Sequence, residues 1–187
     1  MADNRKKSRK AYLDDFKKMK EGQYEYTGEL YSWQEDEDKK RKKKLTLWTL
    51  SILLLASAVA ACCVPAPGAV NCAYVLIPCA GVFLAGISVC YGMYRFSTGG
   101  HPLRAYIYRA SVQQIPVRAV CAAVCAGASV AGELIYVLRN SLEGKTVGFI
   151  LLLILEGAAL LMSLEIVRIV HKMSWFIEGK ESDPGSD

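Results

Sequence analysis

Four stretches of this sequence are apolar over about twenty residues each, and they constrain the fold more than any other feature. They cover 46–64, 73–94, 115–138 and 147–170. A helix needs about 20 predominantly apolar residues to cross the hydrocarbon core of a bilayer. A surface helix of a soluble protein has a polar face that recurs every third or fourth residue, and these stretches lack one. We therefore predict an all-α polytopic membrane protein, a four-transmembrane-helix up-and-down bundle over residues 46–170.

Basic residues predict the orientation of the bundle. The run KKRKKK at 39–44 adjoins the first span, and the loop between the second and third spans has Arg95, Arg104 and Arg109 without an acid. Positive charge close to span ends marks the cytoplasmic side, so we expect both termini in the cytoplasm. The chain has no N-x-[ST] acceptor, which fits a bacterial inner-membrane protein.

Residues 1–45 read as a short charged cytoplasmic arm, with 14 Lys or Arg and 10 Asp or Glu. Apolar residues at i, i+4 and i+7 predict an amphipathic helix over 8–22. Residues 24–33 alternate aromatic and polar side chains around a turn at Thr27-Gly28, which suggests a small hairpin. At the other end of the chain, 171–187 reads as a polar cytoplasmic tail.

The polybasic run beside the first span has two interpretations. It comprises Lys39, Lys40, Arg41, Lys42, Lys43 and Lys44. We expect these residues to attract anionic lipid headgroups, each contributing about 1 kcal/mol near the surface. The alternative is a specific lipid or nucleic-acid site. Nucleic-acid binding is disfavoured, because the bases form one block beside a span instead of a folded face with interleaved aromatic residues.

Two carboxylates stand inside the last span, Glu156 and Glu165. At about 1.5 Å per residue, Glu156 lies near the midplane and Glu165 close to the cytoplasmic headgroups. Their separation along the helix places them on opposite faces. For Glu165 we predict a structural ion pair or triad with Arg168 on the same helix, or with Arg118 at a similar depth in the third span.

Glu156 has no base at its depth within its own helix, and the acid nearest in depth is Glu133 in the third span. Two carboxylates in a low-dielectric bundle cannot both stay ionised cheaply, so at least one should keep its proton. One hypothesis is an ion or proton site at Glu133 and Glu156, because intramembrane acids often mark such pathways. The alternative is structural, with a neutral, hydrogen-bonded Glu156 and with Glu133 reaching outward to Arg139 or Lys145.

Small residues recur at every fourth position of the third span. They are Ala119, Ala123, Gly127 and Ala131. A polar strip beside them consists of Cys121, Cys125, Ser129 and Glu133. Small side chains at this spacing let helix backbones approach closely. We predict that the small residues pack against another helix and that Glu133 points inward or along a helix interface.

Seven cysteines raise the question of redox chemistry. Cys62 and Cys63 end the first span and Cys72 begins the second, so an oxidising outer face would allow one of the pair to form a disulfide with Cys72. The sequence has no C-x-x-C pair, which argues against a thiol-exchanging membrane enzyme. We interpret most of the cysteines as small apolar packing residues.

Signatures of catalysis and of bound cofactors are absent from the sequence. It has no phosphate-binding loop, no Ser-centred elbow and no zinc-protease motif. The two histidines, His101 and His171, have no spaced Cys or acid partner of the kind that forms a metal site. We therefore predict that the protein is not an enzyme and needs no metal or cofactor.

These features favour a non-enzymatic accessory or assembly subunit of a membrane complex. The arm is too small to fold alone, so we expect it to dock on a protein partner or on the headgroup region. The small-residue strip fits close helix association in a complex or a homo-oligomer. The alternative is a small proton- or cation-coupled transporter that uses Glu133 and Glu156.

Overall fold

Each of the four apolar stretches forms one long helix, as the sequence predicts. The computed structural model describes residues 16–18, 24–140 and 146–178. Its helices are α1 (Glu37–Cys63), α2 (Pro67–Asn71), α3 (Ala73–Thr98), α4 (Ala105–Ala110), α5 (Gln114–Arg139) and α6 (Thr146–His171). The four long helices have 26 or 27 residues each, so each extends about 40 Å.

The long helices form a closed ring. Each packs against the next long helix along the chain, and α6 packs back against α1, which confirms the four-helix bundle. Fully buried side chains in its interior include Leu47, Val89, Ile115 and Ile166. Outward side chains that are apolar and largely exposed include Leu84, Val124 and Leu161. Apolar surface of this extent is not stable in water, so the chain is a multi-pass integral membrane protein with four candidate spans.

The basic run belongs to α1, which begins at Glu37, before the predicted start of the span at residue 46. Lys and Arg are good helix formers, and acids in the first turn, Glu37 and Asp38, interact favourably with the helix dipole. Lys40 pairs with Glu37 at 2.7 Å, and Lys43 pairs with Glu35. We call the end of the bundle where this run lies the basic end.

The arm differs from both structures predicted for it. Two strands, β1 (Phe16–Lys18) and β2 (Tyr24–Tyr26), pair with each other antiparallel. The described part of the helix predicted for 8–22 is therefore a strand, and the rest of that prediction lies outside the described residues. The hairpin predicted for 24–33 is also wrong, because β3 (Leu30–Trp33) pairs with distant segments instead of with β2.

A small sheet at the basic end joins three separate segments of the chain. Besides β3 it contains β4 (Leu103–Arg104) and β5 (Trp175–Glu178), in the order β4-β3-β5. Both pairings are antiparallel, and Trp33 lies opposite Trp175. We call this sheet together with α4 the cap. The predicted polar tail thus contains a strand, and residues 179–187 lie outside the described residues.

Aromatic packing holds the cap on the bundle. Trp33 is 3% exposed and stacks on Trp175 with ring centroids 5.8 Å apart. Both indoles contact Phe96 near the end of α3. Tyr31 stacks on Tyr108 of α4 at 4.2 Å. An isolated strand of the arm would lack an apolar surface to pack against. For β3, aromatic residues of α3, α4 and β5 supply that surface.

Candidate functional site

The Glu156 carboxyl is buried in the bundle without a hydrogen bond. It lies near the middle of α6 and is 1% exposed, and neither carboxyl oxygen has a partner of hydrogen-bonding geometry. The hydroxyl of Ser129 on α5 lies beside it and is likewise buried without a partner. The thiol of Cys79 on α3 is its other polar neighbour. Unsatisfied polar groups are rare in protein interiors because they are costly to bury, so Glu156 is a candidate functional residue.

The polar neighbours of Glu156 come from α3 and α5, and Cys79 on α3 has a further neighbour on α1. Cys62 at the end of α1 places its Sγ atom 3.8 Å from the Sγ atom of Cys79. Cys62 is itself exposed at the surface of the bundle. A chain of polar and polarisable side chains therefore runs from the surface of α1 through Cys79 to the midplane carboxyl.

Glu133 connects the short helix α2 to the bundle through a hydrogen bond. It is fully buried, and its Oε1 atom accepts a hydrogen bond from the backbone N–H of Gly68 at 3.2 Å, whereas its Oε2 atom has no partner. Gly68 belongs to α2, at the end opposite the basic end, and a Cβ at that position would overlap the carboxylate. The alternative in which Glu133 reaches outward to Arg139 is therefore wrong, while Lys145 lies outside the described residues.

The structure gives the two carboxylates separate neighbours. Glu133 bonds to α2, whereas Glu156 faces Ser129 and Cys79. They form no hydrogen bond with each other. The two carboxylates therefore do not form the joint site suggested by the sequence. Glu133 holds α2 against the bundle, and Glu156 is the better candidate for proton or ion chemistry.

Of the two partners predicted for Glu165, the structure places one beside it. Arg168 forms an ion pair with Glu165 at 3.5 Å, with both side chains substantially exposed. Arg118 instead donates a hydrogen bond to the backbone carbonyl of Ser88 at 2.7 Å and forms no ion pair among the described residues. Gly92 leaves room for the guanidinium against α3, which turns Arg118 away from α6.

The buried face of α5 differs from the predicted strip. Its buried small residues are Ala119, Ala122, Ala126, Ser129 and Gly132. Successive positions in this set are three or four residues apart, which keeps them on one face. A strict four-residue step rotates by about 40° each time, so the predicted strip drifts from buried Ala119 through half-buried Ala123 and Gly127 to exposed Ala131. The polar strip rotates in the same sense but begins on the exposed side of the helix, so it moves from exposed Cys121 to buried Glu133.

All seven cysteines are free thiols in the structure. Cys62 and Cys63 are exposed and Cys72 is half-buried. The near neighbour of Cys62 is Cys79 in the second span rather than the predicted Cys72. Cys125 packs against Gly81 of α3, as expected of a small packing residue.

The cap contains the side chains that the sequence did not single out. Tyr31 donates a hydrogen bond to the carboxylate of Glu29 at 3.1 Å, and burial together with that bond raises the pKa of Tyr31 above its ordinary value. The alternation of Trp175 and Ile177 after the last helix is a strand signal. It would have indicated β5, although not its partner.

Neither metal chemistry nor a known relative explains this arrangement. Across residues 16–18, 24–140 and 146–178, no three or more His, Cys, Asp or Glu side chains are grouped so as to hold a metal ion. No protein family, curated protein or solved structure matches this chain.

Proposed function

We propose that this protein is a non-enzymatic subunit of a membrane complex whose cap binds a partner protein through its edge strand. β5 pairs with β3 on one side and, as far as the structure describes the chain, with no strand on the other. A strand edge presents unpaired N–H and C=O groups, to which an extended segment of another protein can add as a further strand. This edge is the observation that carries the proposal.

Phe176 supports the proposal with a suitable side chain. It is 44% exposed, whereas Trp175 and Ile177 on either side of it are half-buried. Exposed aromatic side chains often anchor protein interfaces. The stacked aromatic rings of the cap keep the edge in place, which lowers the entropy cost of ordering it on binding.

The proposal places the cap in the cytoplasm and the bundle in a bacterial inner membrane. The support is the distribution of basic residues, because the run at 39–44, Arg95, Arg104 and Arg109 all lie at the basic end. Both termini are then cytoplasmic, and α2 faces the other side.

A substitution at the edge tests this function better than removal of the arm. Deleting residues 8–33 would also remove β3, the central strand of the cap, and would destroy the sheet. Phe176→Asp should instead reduce recovery of the partner at least tenfold when the tagged protein is purified from its own cells. Ser174→Asp is the matched control, because it adds the same charge at an exposed position nearby. The same proteins recovered in equal amounts with Phe176→Asp and with the unaltered chain would contradict the proposal.

A second candidate function is proton- or cation-coupled transport, and the buried, unpartnered carboxyl of Glu156 favours it. In reconstituted vesicles, Glu156→Gln should then abolish flux. Glu133→Gln should preserve it, because a glutamine oxygen can accept the same hydrogen bond from Gly68. A subunit without transport activity would assemble normally with both substitutions. Labelling by a hydrophobic carbodiimide gives an independent test, since no labelling of Glu156 at any pH would contradict transport.

A further inference from the structure

A groove lies between α1 and α6 at the basic end and has a volume of about 210 Å³. Its charged lining consists of Lys42, Lys43, Glu165, Arg168 and Lys172. We propose that this groove binds the phosphate headgroup of an anionic glycerophospholipid. The proposal is independent of the partner protein and of the transport candidate.

The charges of the groove are unbalanced. Glu165 pairs with Arg168, and Lys43 pairs with Glu35 outside the groove. Lys42 and Lys172 are exposed and, within the described ranges, neither forms an ion pair. Two lysines without counter-charges therefore face the same space as a guanidinium, and this set of groups is suited to a phosphate.

Three other bases of the run, Lys39, Lys40 and Lys44, are turned to different contacts. Lys39 pairs with Asp36 and Lys40 pairs with Glu37. The ammonium group of Lys44 lies 5.8 Å from the ring centroid of Phe96. The run is therefore not a uniform charged surface, because the helix directs only some of its side chains toward α6.

The depth of the groove indicates a lipid rather than a soluble anion. Thr46, where the predicted first span begins, lines the groove, so the groove lies at the boundary between headgroups and hydrocarbon. Leu53 lies two turns after Thr46, and Leu161 lies two turns before Arg168, so each continues the same helix face into the apolar region. These leucines are 50% and 67% exposed. A phospholipid can use both parts, with its phosphate in the groove and an acyl chain along the leucines.

The size of the groove also fits a headgroup. At about 30 Å³ per water molecule, its volume corresponds to about seven waters. A phosphodiester with its glycerol carbons is of comparable size, whereas a folded partner would need a much larger surface.

The test compares two double variants that remove the same charge. Lys42→Gln with Lys172→Gln changes the groove, and Lys39→Gln with Arg41→Gln changes the run outside it. Native mass spectrometry of the purified full chain measures binding of phosphatidylglycerol, with phosphatidylcholine as the neutral lipid. The affinity for phosphatidylglycerol should fall about tenfold or more in the groove variant and less than twofold in the control variant. Lys42→Arg with Lys172→Arg should retain binding, which separates lost charge from lost fold.

Three results would overturn the proposal. Equal losses in both double variants would show attraction to surface charge without a site. Equal binding of phosphatidylcholine would show that the headgroup charge is not recognised. Displacement of phosphatidylglycerol by inorganic phosphate at a similar concentration would show that the groove binds a soluble anion and that the apolar track contributes nothing.

Discussion

The Glu133 carboxylate accepts a hydrogen bond from the backbone N–H of Gly68 at 3.2 Å and so joins α5 to the short helix α2. A Cβ at position 68 would overlap that carboxylate. Gly68→Ala should therefore displace α2 and lower the free energy of unfolding by about 1–3 kcal/mol, measured by thermal unfolding in detergent. At Gly157 a Cβ would meet no atom within 4 Å, so Gly157→Ala should be neutral or stabilising by up to about 1 kcal/mol. Equal losses at both glycines would contradict this account of α2.

Glu156 should cost stability, because both its carboxyl oxygens are buried without partners. We expect Glu156→Met, which keeps a similar volume and removes the polar atoms, to raise the free energy of unfolding by about 1–3 kcal/mol. Glu165→Gln is the control, since its exposed ion pair with Arg168 is worth at most about 1 kcal/mol. A loss of stability in Glu156→Met would mean that the carboxyl has a stabilising partner.

Trp33 should control the stability of the cap as a unit. It is 3% exposed and contacts both Trp175 and Phe96. Trp33→Ala should lower the free energy of unfolding of the cap by about 3–5 kcal/mol. Hydrogen exchange should therefore accelerate together in β3, β4 and β5. The spans should keep their protection. Accelerated exchange in β3 alone would show that the three strands do not form one cooperative unit.

Arg118 and Glu165 should behave independently. Arg118 bonds to the Ser88 carbonyl, whereas Glu165 pairs with Arg168. In double-mutant cycles we expect a coupling energy near zero for Arg118 with Glu165 and about 0.3–0.5 kcal/mol for Glu165 with Arg168. A charge exchange between positions 118 and 165 should not rescue the single variants. Rescue would contradict this expectation and would support the predicted triad in which Arg118 also pairs with Glu165.

His101 should titrate below the usual range for histidine. Burial, together with the charges of Lys44 and Lys40, lowers the pKa of His101. The folded state then binds fewer protons than the unfolded state as the pH falls below about 6.5, so acidification weakens the fold at the basic end, with no effect at higher pH. In an NMR titration, Lys44→Gln should raise the midpoint and Lys39→Gln should leave it unchanged. A midpoint at or above about 6.5 in the unaltered protein would contradict this.

The bundle is predictable from sequence, while the cap is not. A helix in lipid needs apolar side chains on every face, so each span can be recognised in the sequence as one continuous apolar run. The strands of the cap are short, and their alternation says nothing about partners. Leu30 pairs with Arg104, and Trp33 pairs with Trp175, only because the bundle brings three distant segments to one end.

The candidate site is predictable in part for the same reason. Residue depth follows from counting along a helix, so a carboxyl at the midplane can be inferred for Glu156. The direction in which a side chain points is harder to predict, because the neighbours of a helix are set by tertiary packing. Arg118 illustrates this, since space at Gly92 on α3 decides where its guanidinium lies.

Sided labelling of single cysteines tests the central claim, a four-span bundle in which the start of α1, the loop between α3 and α5 and the strand β5 lie at one end. In a cysteine-free background and sealed vesicles, a membrane-impermeant maleimide should reach Arg41→Cys, Gly100→Cys and Phe176→Cys from one side only. It should reach Val70→Cys, on the exposed surface of α2, only from the opposite side. Labelling of position 70 from the same side as position 41 would contradict the account.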